Sequence, residues 1–229
     1  MLYSKEQAKA NIRNRDGKRI FYLGKGDLLT SDARDWLSSQ RIEILSADQA
    51  KNKTYRLLNG AEALEKPEHM THLNGDVLVP KNHPRIGFRG AVDNLEAAIL
   101  LCQQAVPQRK GELQEILELA RRLISCDVLD EPVGDFTLCG LTEQEQRKRS
   151  HIPQDYYGIP HFMPNSDDSK AVLELNRVRT LVRSTELAAI HAFSDREGNP
   201  TRPDMIQALN RMSSMVYILM LQEKAKNKN

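Results

Sequence analysis

The strongest constraint on this chain is the helical periodicity that begins after Pro84 and continues nearly to its end. Val92, Leu95, Ile99, Cys102 and Val106 recur at spacings of three and four, and Leu113, Ile116, Leu117, Ala120, Leu123 and Ile124 fit the same template. Two further amphipathic stretches, 169–194 and 203–224, are separated by Glu197-Gly198-Asn199-Pro200, which stops one helix before the next begins. Thr142-x-x-Glu145 has the form of a capping box and predicts a shorter helix, followed by a Pro-, Tyr- and Asn-rich loop over 152–168. Such apolar stripes can be buried only against one another. The expected fold is therefore mainly α, a four/five-helix bundle over residues 85–224.

The N-terminal third follows another pattern. Arg19–Leu23 and Arg41–Leu45 read as strands, and Ser31-Asp32 caps a helix carrying Ala33, Trp36 and Leu37 between them. This is a small α/β module, assigned to 1–65. Gly24 and Gly26 lack the third glycine of a nucleotide loop and read as a turn. The polar stretch from residue 47, punctuated by Pro67, Pro80 and Pro84, reads as linking sequence, of which 66–84 is the connecting segment. Residues 225–229 read as a tail.

Several classes are excluded. With 33 Lys+Arg against 31 Asp+Glu, the net charge of +2 is too small for a nucleic-acid coat or a membrane-surface protein. Cys102, Cys126 and Cys139 form no CxxC pair, which removes a disulfide framework or zinc ribbon and indicates a reducing compartment. No apolar signal region follows Met1, and no uncharged stretch approaches the roughly 20 residues of a membrane helix. A cytoplasmic protein is expected, with neither nucleic acid nor membrane as partner.

Three weak signals of chemistry stand out. Arg179, Arg183 and Glu186 fall on one helical stripe, where two guanidinium forks one turn apart could grip phosphate oxygens. The same spacing would equally serve a solvated face with an Arg183–Glu186 ion pair. Asn210, Ser213, Ser214 and Tyr217 share a face of the last helix, and small hydroxyls there could simply allow close packing. Asp93 is set among small and apolar residues, and a buried carboxylate would need a cation such as Arg179 or Arg183. A ferritin-like di-metal bundle needs Glu-x-x-His, and no histidine here has Glu three residues before it.

Taken in order, Asn82-His83-Pro84-Arg85, Gly90-Ala91-Val92-Asp93-Asn94-Leu95, Arg179-Thr180-x-x-Arg183-x-x-Glu186 and Leu209-Asn210-Arg211-Met212-Ser213 resemble the motifs of ATP:cob(I)alamin adenosyltransferases. Lys81–Arg89, Leu29–Arg34 and Arg202–Arg211 are similar to the ethanolamine-utilisation branch of that family. The resemblance implies transfer of the 5′-deoxyadenosyl group of ATP to reduced cobalamin, with Mg²⁺ on the phosphates. It assigns ATP binding to Thr71, Gly75, Lys81, Arg183, Glu186, Asn210 and Arg211. Asp93 and Arg179 are implied to pair across a subunit boundary, and Phe162, with Tyr156 and Tyr157 as substitutes, to displace the lower cobalt ligand. It further implies a homo-oligomer, a trimer, an external flavin-type reductant, ethanolamine ammonia-lyase as product acceptor, and a place in or beside a bacterial microcompartment. The competing reading is a non-catalytic helical adaptor or cobalamin-binding module, mildly favoured by Ser184 and Leu187 where many relatives carry Arg.

Two departures are visible. Thr71-His72-Leu73-Asn74-Gly75-Asp76 stands where the general family has a Thr-Gly-Asp phosphate loop. The ethanolamine branch carries a His and a Cys-Cys-x-x-Cys cluster upstream of that point, whereas this chain has no cysteine before Cys102. His69, His72 and His83 lack a thiolate or carboxylate companion, so no structural zinc or iron is expected. Elemental analysis of purified protein should find neither metal in stoichiometric amount. A chelator should leave activity intact when Mg²⁺ is kept in excess.

Overall fold

In the computed structural model, residues 1–15, 18–46 and 54–226 are described. They form two compact units, Met1–His83 with Ser125–Glu131, and Pro84–Ile124 with Pro132–Asn229. The last three residues of the expected tail, and 47–53 of the linking stretch, lie outside the described residues.

The first unit starts with β1 (Leu2–Tyr3), α1 (Lys5–Ala10), β2 (Ile12–Arg15), β3 (Lys18–Leu23), β4 (Leu28–Leu29), α2 (Ser31–Ser39) and β5 (Glu43–Ser46). Strand β3 pairs antiparallel with β2 and parallel with β5, so α2 is a crossover helix returning the chain to the same sheet. Phe21, Ala33, Leu37 and Ile42 pack with Ala8, Ile12 and Leu29 into a core of its own. The Gly24–Asp27 segment is the expected turn: Asp27 N–H donates to the Gly24 carbonyl at 3.0 Å, and Gly26 takes φ +82°. Two details differ from expectation. The cap of α2 is Thr30, whose Oγ1 accepts from Ala33 N–H at 3.2 Å, which makes Ser31 the first helical residue. Arg41 takes φ +54°, and the strand begins only after it, at Glu43.

The stretch expected as a connector is ordered as sheet. Strands β6 (Tyr55–Leu57), β7 (Glu62–Ala63), β8 (Met70–Asn74) and β9 (Val77–Pro80) form one sheet in the order β7-β6-β9-β8. Met70, Leu73, Leu78 and Val79 are buried, but the strands are too brief, and their buried positions too irregular, to show a period-two pattern among the prolines. Arg56 clamps Asp76 bidentately at 3.0 and 3.2 Å, tying β6 to the β8–β9 turn.

The second unit is the bundle. It comprises α3 (Pro84–Ala105), a 3₁₀ turn at Pro107–Arg109, α4 (Lys110–Leu129), whose end belongs to the first unit, and the two-residue strands β10 (Thr137–Leu138) and β11 (Leu141–Thr142). Then follow α5 (Glu143–His151), α6 (Pro153–Tyr157), α7 (Lys170–Ala192) and α8 (Pro203–Lys226). The four long helices and the shorter α5 follow the periodicity, whereas α6 lies in the stretch expected as a loop. Thr142 and Glu145 form the capping box of α5, and Ser169 caps α7 by accepting from Val172 N–H. Helix α7 packs along both α3 and α8. Its Val172, Leu175, Val178, Val182 and Ala189 are fully buried, as are Val92, Leu95 and Ile99 of α3 and Leu209, Met212 and Val216 of α8.

Near the C-terminal end of α8, Arg109 donates to Glu223 at 2.6 Å and to Glu112 at 2.7 Å, with Arg109 and Glu223 both buried. Burial opposes the charge of Glu223, but hydrogen bonds from Lys226, Arg109 and Gln108 outweigh it and hold the carboxyl below its ordinary 4.5. Arg109→Ala, which leaves Glu223 only Lys226 and Gln108, should cost ~1.5–3 kcal/mol in urea unfolding, the value of a hydrogen bond to a charged group. Because the folded pKa of Glu223 is depressed, its contribution is complete above 4.5 and is lost as pH falls through the folded value. Glu223→Gln should therefore flatten the acid limb of stability against pH in that window.

Candidate functional site

The fixed rotation of α7 decides where its polar stripe points. With Val178 and Val182 buried, Arg179 and Arg183 emerge one turn apart beside the polar face of α8. Together with Asn210, Ser213, Ser214 and Tyr217 of α8, the end of α5 and the segment His161–Pro164, they line a cleft of about 690 Å³. Asn210 is also part of the wall of an adjoining cleft of about 390 Å³, with Glu186, Arg211, Arg147, Pro203 and Ile206.

The two clefts differ in charge: Glu143 and Glu186 face Arg147 and Arg211 in the smaller one. No carboxylate lines the larger one. Burial and then the neighbouring charge of Arg183 push the Arg179 guanidinium below its usual basicity. Burial and Arg147 do the same to Arg211. Arg179 Nε and Arg211 Nη1 are buried without an acceptor among the described residues. An unpaired buried N–H of a charged group costs at least ~1–3 kcal/mol. Guanidinium groups in the walls of both clefts suit anionic oxygens.

The polar groups are ordered in a chain. Arg211 donates to Asn210 Oδ1, and Asn210 Nδ2 donates to Glu186 Oε1 at 3.0 Å. Glu143 accepts from Gln207 at 2.7 Å on the same wall. Glu186 and Glu143 are oxygen donors suited to a hard divalent cation that keeps phosphate and water among its ligands. No group of three or more His, Cys, Asp or Glu able to hold a metal ion occurs among the described residues.

Of the residues singled out in the sequence, Phe162, Arg179, Arg183 and Asn210 meet in the larger cleft, and Glu186 and Arg211 join Asn210 in the adjoining one. Asp93 is not buried, contrary to the reading of its neighbours. It is exposed on α3 and has no ion-pair partner among the described residues, so no Asp93–Arg179 pair forms within the chain. Thr71, Gly75 and Lys81 belong to the first unit. Thr71 pairs with Val79 in the β8–β9 ladder, Gly75 turns the hairpin at φ +53°, and Lys81 is exposed just after it. The Asp76 carboxylate of this turn is committed to Arg56. Tyr156 and Tyr157 lie on α6, outside the lining of the larger cleft.

Sequence reasoning missed His161, Lys224 and Asp168. Phe162 stacks on Tyr217 with ring centroids 6.0 Å apart and lies under Lys224 Nζ at 5.2 Å, and Lys224 is paired with buried Asp168. Tyr217 and Lys224 are seven residues apart, and that spacing was the available signal.

The family model described as cobalamin adenosyltransferase matches residues 63–223. The corrinoid adenosyltransferase EutT of Salmonella typhimurium is 30% identical, in an alignment covering 96% of this chain and 91% of that protein. EutT of Escherichia coli K12 is 34% identical, covering 93% and 88%. No solved structure matches the chain significantly.

The donor arrangement makes a prediction of its own. Arg183→Ala should weaken binding of inorganic tripolyphosphate about tenfold or more, the value of one charged hydrogen bond, when titrated calorimetrically. Unchanged affinity would leave Arg183 as a solvated surface residue.

Proposed function

The chain belongs to the cobalamin adenosyltransferase family, and on that premise we propose that it transfers the 5′-deoxyadenosyl group of ATP to reduced cobalamin, making adenosylcobalamin. The observation that carries this reading is the acceptor-starved cleft in which Arg179, Arg183, Asn210 and Phe162 converge.

The chemistry asks little of the protein as acid or base. Cobalt(I) is a strong nucleophile: it attacks C5′, the Co–C5′ bond forms, and the C5′–O5′ bond breaks with its electron pair departing on the phosphate chain. What the protein must supply is alignment and a field for the leaving charge. Arg183 and Asn210 suit the phosphates, and Arg211 orients the Asn210 amide. Glu186 would hold Mg²⁺, which neutralises charge on the departing phosphates. Thr71, Gly75 and Lys81, in the first unit, carry the same phosphate assignment from the family's pattern alone. Phe162 offers a flat apolar face with which to exclude the lower axial ligand, so that four-coordinate cobalt becomes reducible by an external flavin-type donor.

The active form is a homo-oligomer, a trimer, with Asp93 of one subunit meeting Arg179 of the next. Three features support this: Asp93 is exposed and unpaired among the described residues, no carboxylate lines the cleft beside Arg179, and Leu100, Leu101, Leu187 and Ile190 are exposed on the neighbouring helices α3 and α7. Likeness to the EutT proteins points to ethanolamine ammonia-lyase as the consumer, in the cytoplasm and associated with a microcompartment. No helix among the described residues is long and apolar enough to cross a membrane.

Mixing protein, ATP, Mg²⁺ and chemically reduced cobalamin should give the visible spectrum of adenosylcobalamin. No conversion by wild-type protein would overturn the reading. Asp93→Ala and Arg179→Ala should each be inactive, yet the two chains co-expressed should recover about a quarter of wild-type activity, the share of interfaces with both residues intact in randomly mixed rings. No recovery would mean that the two residues act within one chain, or not together.

A further inference from the structure

Tyr217 is placed where two separately assigned residues converge. Its ring lies under the Arg179 guanidinium, with Cζ 5.2 Å from the centroid, and stacks against both His161 at 5.9 Å and Phe162 at 6.0 Å. Its hydroxyl completes a chain of hydrogen bonds whose direction is fixed at one end. The His151 carbonyl, left over at the end of α5, can only accept, so His161 Nε2 carries the proton and donates to it at 3.1 Å. In the neutral imidazole Nδ1 is then an acceptor, and it receives the Tyr217 O–H at 3.2 Å. That leaves the Tyr217 oxygen to accept the Phe162 backbone N–H at 3.3 Å. A second hook lies two turns along α8, where Lys224 pairs with buried Asp168 and sits over the Phe162 ring, while Asp168 also accepts Asn165 N–H at 2.9 Å.

We propose that Tyr217 is a positioning residue for adenosyl transfer, its hydroxyl clasping the His161 imidazole and the Phe162 backbone N–H to α8 and its ring setting the Arg179 guanidinium against the same edge of the cleft. The inference rests on the functional reading above and adds a residue that acts through Phe162 and Arg179 rather than on the reacting atoms. The two parts of the side chain have separable effects. The hydroxyl governs where Phe162 stands, and so how much cobalamin loses its lower ligand. The ring governs Arg179.

The test compares Tyr217→Phe and Tyr217→Leu with wild-type oligomer in the presence of ATP, Mg²⁺ and cob(II)alamin. The measurements are the electron paramagnetic resonance and visible signatures of four-coordinate cobalt, kcat, KM for ATP, and amide exchange at Phe162. Tyr217→Phe keeps the ring and loses both hydroxyl bonds. It should accelerate exchange at Phe162 and lower the four-coordinate fraction and kcat together, about tenfold for two neutral hydrogen bonds, with KM for ATP changed less than about twofold. Tyr217→Leu should lose more of kcat than Tyr217→Phe, because Arg179 is released as well. An intact four-coordinate signal with wild-type kcat in Tyr217→Phe overturns the clasp. So does a fall in kcat matched by a rise in KM with the cobalt signal unmoved. Wild-type protein that makes no adenosylcobalamin instead overturns the functional reading and the role of Tyr217 with it.

Discussion

Helix α7 has no freedom to rotate. It is packed on one side by α3 and on the other by α8, and its Val172, Leu175, Val178, Val182 and Ala189 are fully enclosed. Close-packed interiors do not accommodate even small turns of such a helix. Burial of those five residues therefore dictates the direction of every other position on it. Arg179 and Arg183 are held at the cleft by valines one position away, and Glu186 is brought to Asn210 by the same phase. The site has the precision of the core because it is the core's other face.

Placing cations on that face has a cost. Arg179 and Arg211 each retain a buried nitrogen with no acceptor among the described residues, and the basicity of both is lowered by burial. Elsewhere the same fold pairs a buried arginine with carboxylates, as Arg109 shows with its two glutamates. The contrast is informative. Beside Arg109 the chain supplies two carboxylates, whereas the larger cleft around Arg179 and Arg183 is lined by none.

Much of this was legible in the sequence, for a definite reason. Long helices advertise their buried face over six or more repeats, so α3, α4, α7 and α8 were evident, and with them the coincidence of Arg179, Arg183 and Asn210. Three things were not legible. Strands β6 to β9 are two to five residues long and interrupted by proline, which leaves no period to detect. The exposure of Asp93 depends on which edge of α3 faces α7, and a run of small residues around it suggested burial instead. The clasp on Phe162 joins loop to helix across 55 residues, through a hydroxyl and an imidazole that carry no pattern of their own. Local patterns reveal faces, whereas contacts between a loop and a face have to be seen.

The two hooks that hold the Phe162 segment, Tyr217 and Lys224, lie seven residues apart on one continuous helix. A helix turns by about 100° per residue, so seven residues return to nearly the same azimuth, whereas six or eight miss it by about 120° or about 80°. The side chains between 217 and 224 can vary within the limits of packing, but the count between them cannot. Across descendants of this chain, the stretch should accept substitutions and reject insertions and deletions: its length, more than its lettering, is what is inherited.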